Sequence, residues 1–226
     1  MTRLSTVTES FTTMTQVAIL TCNPFQENTY LVYDDTGECV IFDPGCYDAS
    51  ERRMLMGKVQ ELGLTPVRLI NTHCHLDHVF GNRFVADTWQ LPLEIHPLEA
   101  PVLAAVPAVC RHYGLPVPEE SPDPQTTLAD GAEIRFGHTV LQQIFTPGHS
   151  PGSVSFYCAE HKFVIAGDVL FYGSIGRTDL PGGDYDTLIA SITNRLLPLG
   201  DDITVYPGHG PATRMGYERK NNPFLI

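Results

Sequence analysis

The sequence predicts an α/β protein in which two β-sheets pack face to face with helices outside. Short apolar, β-branched runs come in two series, one over residues 17–72 and one over 133–206. Helical spacing of apolar residues is interspersed in both series, so the second half repeats the style of the first. No short period runs through the chain, which excludes a solenoid.

Segments 17–20, 29–33 and 39–42 read as the first three strands, with Asp34-Asp35-Thr36-Gly37 as the turn between the last two. Asp43-Pro44-Gly45 stops the third. A helix opens at Asp48 as N-cap, with Glu51 three residues on as the acidic counterpart of a capping box. Met54, Leu55, Val59 and Leu62 recur at helical spacing, and Gly63 ends it. Residues 67–72 form a buried strand. Phe80-Gly81-Asn82 follows like a turn, then come a short helix near 80–88, a strand at 93–95 and a helix over 97–112. Residues 114–125 hold four prolines and two adjacent glutamates, which predicts an irregular surface segment. Strands are expected at 133–136, 140–146, 154–157, 163–166 and 203–206, and a helix over 184–197.

Composition narrows the function. The 226 residues are 42% apolar and 18% charged, which fits a globular enzyme and neither a disordered nor a membrane chain. No apolar run is long enough to span a bilayer. Residues 1–16 are polar, lack the apolar core of a secretory signal and are expected to form a frayed extension, leaving 17–226 as a single domain. The six cysteines are scattered without a Cys-x-x-Cys pair, so reduced thiols and a cytoplasmic setting are expected. With 14 Lys+Arg against 26 Asp+Glu, nucleic acid and acidic membranes are poor partners. A small-molecule substrate remains, and monomer and homodimer are both open.

The chemistry is concentrated in Thr72-His73-Cys74-His75-Leu76-Asp77-His78. His and Asp add little to a packed core, so three imidazoles and a carboxylate within six positions point to a site. If strand geometry runs into the cluster, His73 and His75 face the same side, while Asp77 and His78 come after the bend and address a second point. One loop then offers ligands to two metal ions. Cys74 alternates away and is expected to be a buried thiol. Three further strands end in a glycine followed by one ligand type: Gly148-His149, Gly167-Asp168 and Gly208-His209. The glycine lets the backbone turn at the strand end. Together these positions supply five His and two Asp, enough for two metals with an open position each.

The pattern His73-x-His75-x-Asp77-His78, His149, Asp168, His209 resembles the metallo-β-lactamase superfamily, over nearly the whole chain from Val17 onward. The resemblance implies an αβ/βα four-layer sandwich of two mixed sheets, with the metals at one edge. It implies that His73, His75 and His149 hold one metal, that Asp77, His78 and His209 hold a second, and that Asp168 bridges them. Such donors suit Zn first, with Fe or Mn as alternatives. Within the superfamily, Asp43-Pro44-Gly45, the run 167–171, Gly176-Arg177-Thr178-Asp179 and the run 207–210 are similar to hydroxyacylglutathione hydrolases (glyoxalase II). The run 218–224 resembles the tail of their short bacterial relatives. By that likeness Arg177 contacts the glutathione carboxylate. The sequence departs from the family where an aromatic substrate contact is replaced by Asp179. Only seventeen residues follow His209, too few for the helical domain that completes the glutathione site.

The implied reaction is hydrolysis of a small, possibly glutathione-linked acyl thioester by a metal-bound hydroxide. Asp168 holds the metals together, and Asp77 is a ligand that also orients the hydroxide. A thiolate leaves without a proton donor, and no such donor is evident, which favours a thioester over an amide. Tyr172 and Ser174 are expected to line the substrate groove. The same fold also supports an Fe-dependent persulfide dioxygenase, or another hydrolase of lactonase type. A metal-free serine esterase is the distant rival, because Gly148-His149-Ser150-Pro151-Gly152 matches G-x-S-x-G with Asp168 and His209 following in order. It fails chemically: the oxyanion hole needs the N–H after the serine, and Pro151 has none.

Overall fold

The computed structural model describes residues 14–226. The first sheet contains β1 (Gln16–Cys22), β2 (Glu27–Tyr33), β3 (Glu38–Phe42), β4 (Thr65–Ile70) and β5 (Leu93–Glu94), in that order. Its first three strands are antiparallel and the last three parallel. The second sheet contains β6 (Glu133–Phe136), β7 (Thr139–Phe145), β8 (Val154–Cys158), β9 (Phe163–Gly167), β12 (Thr204–Pro207) and β13 (Thr213–Arg214). Only β9 and β12 pair in parallel there. Between them in sequence lies a separate hairpin, β10 (Leu170–Phe171) with β11 (Ser174–Ile175).

Period-two alternation builds the layers. Tyr30, Val32, Val40, Phe42 and Ile70 from the first sheet meet Ile134, Phe136, Leu141, Phe156 and Ile165 from the second. Phe42 and Phe156 rings touch across this interior with centroids 4.8 Å apart. The alternate residues of the first sheet, Leu31, Ile41 and Leu69, pack outward against α1 (Ala49–Glu61), α3 (Asn82–Trp89) and α4 (Ala100–His112). Val164, Ala166 and Val205 pack outward against α5 (Tyr185–Ser191) and the π-helical turn Ile192–Leu196. Helices, two mixed sheets and helices thus form the four expected layers.

The expected elements occur with shifted ends. Asp48 caps α1 by accepting from Ser50 N and Glu51 N, and Gly63 follows it at φ +65°. Glu51 reaches back further than a capping box requires, to Tyr47 N and Asn23 N. The helix expected near 80–88 is α3, and a further short helix that was not expected, α2 (Leu76–Val79), precedes it across Gly81, whose Cβ would collide with Cys46 and Pro44. The 97–112 helix starts with a 3₁₀ turn, Pro97–Glu99. The 184–197 helix is α only to Ser191; it then loosens into the π turn and a 3₁₀ turn, Leu197–Leu199, around Pro198. The β10–β11 hairpin, β13 and α6 (Met215–Asn221) were not expected, because two-residue strands carry no periodicity. Gln16 belongs to β1, so the frayed extension cannot reach residue 16; residues 1–13 lie outside the described residues. The 114–125 stretch holds no helix or strand, as expected, until Gln125 bridges to Glu94.

Candidate metal centre

All seven positions singled out in the sequence converge at one edge of the sandwich, beyond the carboxyl ends of β4, β7, β9 and β12. His149 Nε2 lies 2.8 Å from His75 Nδ1 and 3.2 Å from His73 Nε2. Beside this group His209 Nε2 is 3.1 Å from Asp77 Oδ2, and His78 Nε2 is 3.8 Å from the same oxygen. Asp168 stands between the two groups. Its Oδ2 is 3.5 Å from both His149 Nε2 and His209 Nε2, and its Oδ1 is 3.5 Å from His78 Nε2.

The route to this geometry differs from the expected one in one respect. Strand β4 ends at Ile70, and the chain bends at Thr72 and His73, so strand alternation does not orient the first two imidazoles. His73 and His75 meet beyond that bend, their ring centroids 4.8 Å apart, and His75 is the extended residue that starts α2. Asp77 and His78 sit on α2 and address the second group, as expected. Cys74 is fully buried, its thiol pushed well up by burial and by Glu99.

The glycines before the ligands do two different jobs. Gly148 and Gly167 take φ of +126° and +54°, values that L side chains rarely adopt. Gly208 has an ordinary φ, but a Cβ there would lie 2.0 Å from Asp168 Oδ1. Only a glycine lets the His209 loop pass so close to the Asp168 carboxylate.

Outer partners set which nitrogen of each ring faces inward. His149 Nδ1 donates to the Arg177 carbonyl at 2.7 Å, and His209 Nδ1 to the Phe25 carbonyl at 3.1 Å. A carbonyl only accepts, so the proton sits on Nδ1 and the Nε2 lone pair faces the centre. His78 Nδ1 faces Asp43 Oδ2 at 3.2 Å. Asp43 also accepts from Thr72 N and Thr72 Oγ1, which anchors the start of the ligand loop. The sequence named Asp43 as a strand stop and as part of a family motif but gave it no role at the centre, although Phe42-Asp43 repeats the pattern of a strand followed by an acid. Glu99, which accepts from both histidine loops, gave no signal at all.

Electrostatics sort the groups. Burial and the surrounding imidazoles hold His73 well below the usual histidine range, and His75 is brought down to about 3 by burial and His149. Burial lowers His149 as well, so all three rings are driven toward the neutral form. Burial raises the Asp168 and Asp77 carboxyls, but the facing imidazoles together, His78 foremost, outweigh it and both end below the ordinary value. His78 moves the other way, because Asp168 and Asp77 outweigh its burial and hold it well above the usual range.

The donors fit divalent cations. His78 Nε2 and Asp168 Oδ1 are buried with no hydrogen-bond partner, which is costly unless something else fills that coordination. Three imidazole nitrogens, with His149 Nε2 2.8 Å from one and 3.2 Å from the other, and three further donors beside them suit borderline metals such as Zn, Fe or Mn.

The predicted substrate contacts lie differently. Arg177 is exposed and clamped on Asp179 by two hydrogen bonds of 2.7 Å. Tyr172 is exposed and stacks on Tyr217, ring centroids 5.1 Å apart. The Ser174 carbonyl accepts from Asn222, tying β11 to the end of α6. In this hairpin the ring nearest the ligands is Phe171, 6.2 Å from His209. Ser150 is fully buried and donates to Glu99 at 2.5 Å, which excludes it as a nucleophile.

Comparison with known proteins agrees with this edge geometry. The family model described as the metallo-beta-lactamase superfamily matches residues 22–209. A probable metallo-hydrolase, YqgX of Bacillus subtilis, is 42% identical over 89% of this chain and 93% of its own. The hydroxyacylglutathione hydrolase GloC of Haemophilus influenzae is 36% identical over 92% and 97%. Among solved structures, BLEG-1 B3 metallo-beta-lactamase superposes with a TM-score of 0.84 at 38% identity, covering 93% of this chain and 100% of that one. TTHA1623 in a di-iron-bound form does so with a TM-score of 0.83 at 42% identity, covering 92% and 100%. The chain belongs to the metallo-beta-lactamase superfamily and is a metallo-hydrolase of that fold.

Proposed function

We propose that the chain is a binuclear thioester hydrolase of the hydroxyacylglutathione hydrolase type, with His73, His75 and His149 holding one cation and Asp77, His78 and His209 a second. The observation that carries this is Asp168, whose two oxygens face ligands of both groups at 3.5 Å. GloC supports the choice of reaction by likeness alone. Two divalent cations held there, Zn by preference and Fe or Mn otherwise, would supply Lewis acidity toward a carbonyl and lower the pKa of a bound water to about 7.

The protein's own groups do the rest. The three neutral imidazoles of the first group offer lone pairs without first losing protons. Asp77 and Asp168 are ionised acceptors at the rim of the site, placed to orient the attacking oxygen by accepting its proton in a hydrogen bond. Burial of His73, His78 and His149 keeps water away from the inner side, which strengthens every charge interaction there. A thiolate leaves as an anion, so the absence of an evident proton donor is no obstacle. Arg177, Tyr172 and Ser174 are the candidate substrate contacts, and Arg177 must let go of Asp179 to bind a carboxylate. The six cysteines are unpaired and buried, consistent with a reducing cytoplasm.

Metal analysis with three assays tests the reading: S-lactoylglutathione hydrolysis, oxygen uptake with glutathione persulfide, and opening of a β-lactam. Two metals per chain with thioester turnover is the expected result. One iron per chain with oxygen uptake and no thioesterase activity would make the chain a persulfide dioxygenase instead. Turnover of the β-lactam alone would likewise overturn the choice of substrate.

A further inference from the structure

Glu99, in the 3₁₀ turn ahead of α4, is fully buried and contributes no donor to either ligand group. Both of its oxygens are nevertheless taken up by ligand loops. Oε2 accepts from Cys74 N at 2.7 Å, between His73 and His75. Oε1 accepts from Gly152 N at 2.7 Å and from Ser150 Oγ at 2.5 Å, just after His149. The approach is close enough that a Cβ on Gly152 would lie 2.8 Å from Glu99 Cγ. One carboxylate therefore joins the two loops that supply the three imidazoles of the first group.

The second group is held by other residues. The Asp77 carbonyl accepts from Asn23 at 2.9 Å, the His78 carbonyl accepts from Asn71 at 3.0 Å, and the His78 ring faces Asp43. His209 is held by the Phe25 carbonyl. None of these contacts runs through Glu99.

We infer that Glu99 is a positioning residue that sets the spacing of His73, His75 and His149 by clamping the backbones of their two loops, and so tunes that group's affinity for a divalent cation and not its neighbour's. The inference rests on the metal-centre reading above. A carboxylate suits the task because backbone N–H donors face both oxygens. An amide would turn its NH₂ toward one of them, donor against donor. Metal–nitrogen bonds tolerate little error around about 2.0–2.1 Å, so a loop displaced by a few tenths of an ångström weakens the set.

The test is Co²⁺ titration of the metal-stripped full chain, read by visible absorption and chelator competition, in two backgrounds. His209→Ala leaves the three-imidazole group intact, and His149→Ala leaves the other. Glu99→Gln is expected to weaken Co²⁺ binding about 10- to 100-fold in the His209→Ala background, the range found for outer partners of metal ligands, and to leave it unchanged in the other. Ser150→Ala removes one of the three hydrogen bonds, so its loss should be smaller and confined to the same background. That variant carries the test if Glu99→Gln does not fold. Equal weakening in both backgrounds, or none in the first, would overturn the assignment. If the His209→Ala chain with Glu99 intact took up no Co²⁺, the metal-centre reading itself would fall.

Discussion

Asp43 Oδ2 lies 3.2 Å from His78 Nδ1, and both side chains are buried. Asp43 reaches this position with a left-handed φ of +47°, a conformation an aspartate tolerates better than most residues. The contact turns His78 Nε2 toward Asp168. Asp43→Ala should therefore weaken the second cation about 10- to 100-fold while leaving the fold in place. Metal content after dialysis against a weak chelator reads this, with one cation per chain expected. Retention of two would show that Asp43 does not orient the ring.

Asp168 faces donors of both groups at 3.5 Å. Asp168→Asn keeps the shape but removes the charge that His78, His149 and His209 face. Two cations held there would then lack a shared anion. Metal content should fall from two per chain toward one, and turnover by more than about 100-fold, the upper end for outer-partner losses. Inductively coupled plasma analysis alongside the thioester assay checks both at once.

Arg177 gives a prediction about substrate. Its ion pair with Asp179 is exposed, and such pairs contribute little in water. An anionic substrate group can displace Asp179 easily. Arg177→Ala should raise KM for an anionic thioester about tenfold with kcat nearly kept, the signature of lost uniform binding. Asp179→Ala should move KM in the opposite direction. If neither variant changes KM, Arg177 lies outside the substrate path.

Asp34 tests the sandwich itself. From the end of β2 it accepts from Thr36 N and Oγ1, His138 N and Thr139 Oγ1, so one carboxylate links the two sheets. Burial pushes its carboxyl up, but these hydrogen bonds outweigh that, and the folded value lies below the ordinary one. Its contribution is thus present above the unfolded value of about 3.9 and is lost as pH falls through the lower folded value. Asp34→Asn should cost about 1–3 kcal/mol at pH 7. In urea unfolding, the gap from the parent protein should narrow as pH drops below about 4. A gap independent of pH would mean the charge is irrelevant.

Much of this arrangement could be read before folding was considered, and the reason differs by residue. Leu31 and Ile41 face one layer while Tyr30, Val32, Val40 and Phe42 face another, because a strand buried on both faces appears as a continuous apolar run with fixed alternation. His73 through His78 stood out because nothing in a core explains them. The Gly-His and Gly-Asp strand ends were legible because glycine is needed there, at Gly148 and Gly167 for a positive φ and at Gly208 for a close approach to Asp168. The β10–β11 hairpin and α6 were not legible, since they are held by Glu218, which accepts from Gly173 and Thr213 rather than following a local pattern.

The chain by itself determined the elements, the layer each apolar residue faces and the identity of seven ligand-type side chains, because propensity and periodicity are local. Only the tertiary structure decided what surrounds those ligands. Asp43 behind His78, Glu99 between two loops and Gly208 against Asp168 are all contacts between segments distant in sequence. A buried carboxylate looks the same in a sequence as an exposed one. What it does depends on which N–H groups and rings folding brings against it.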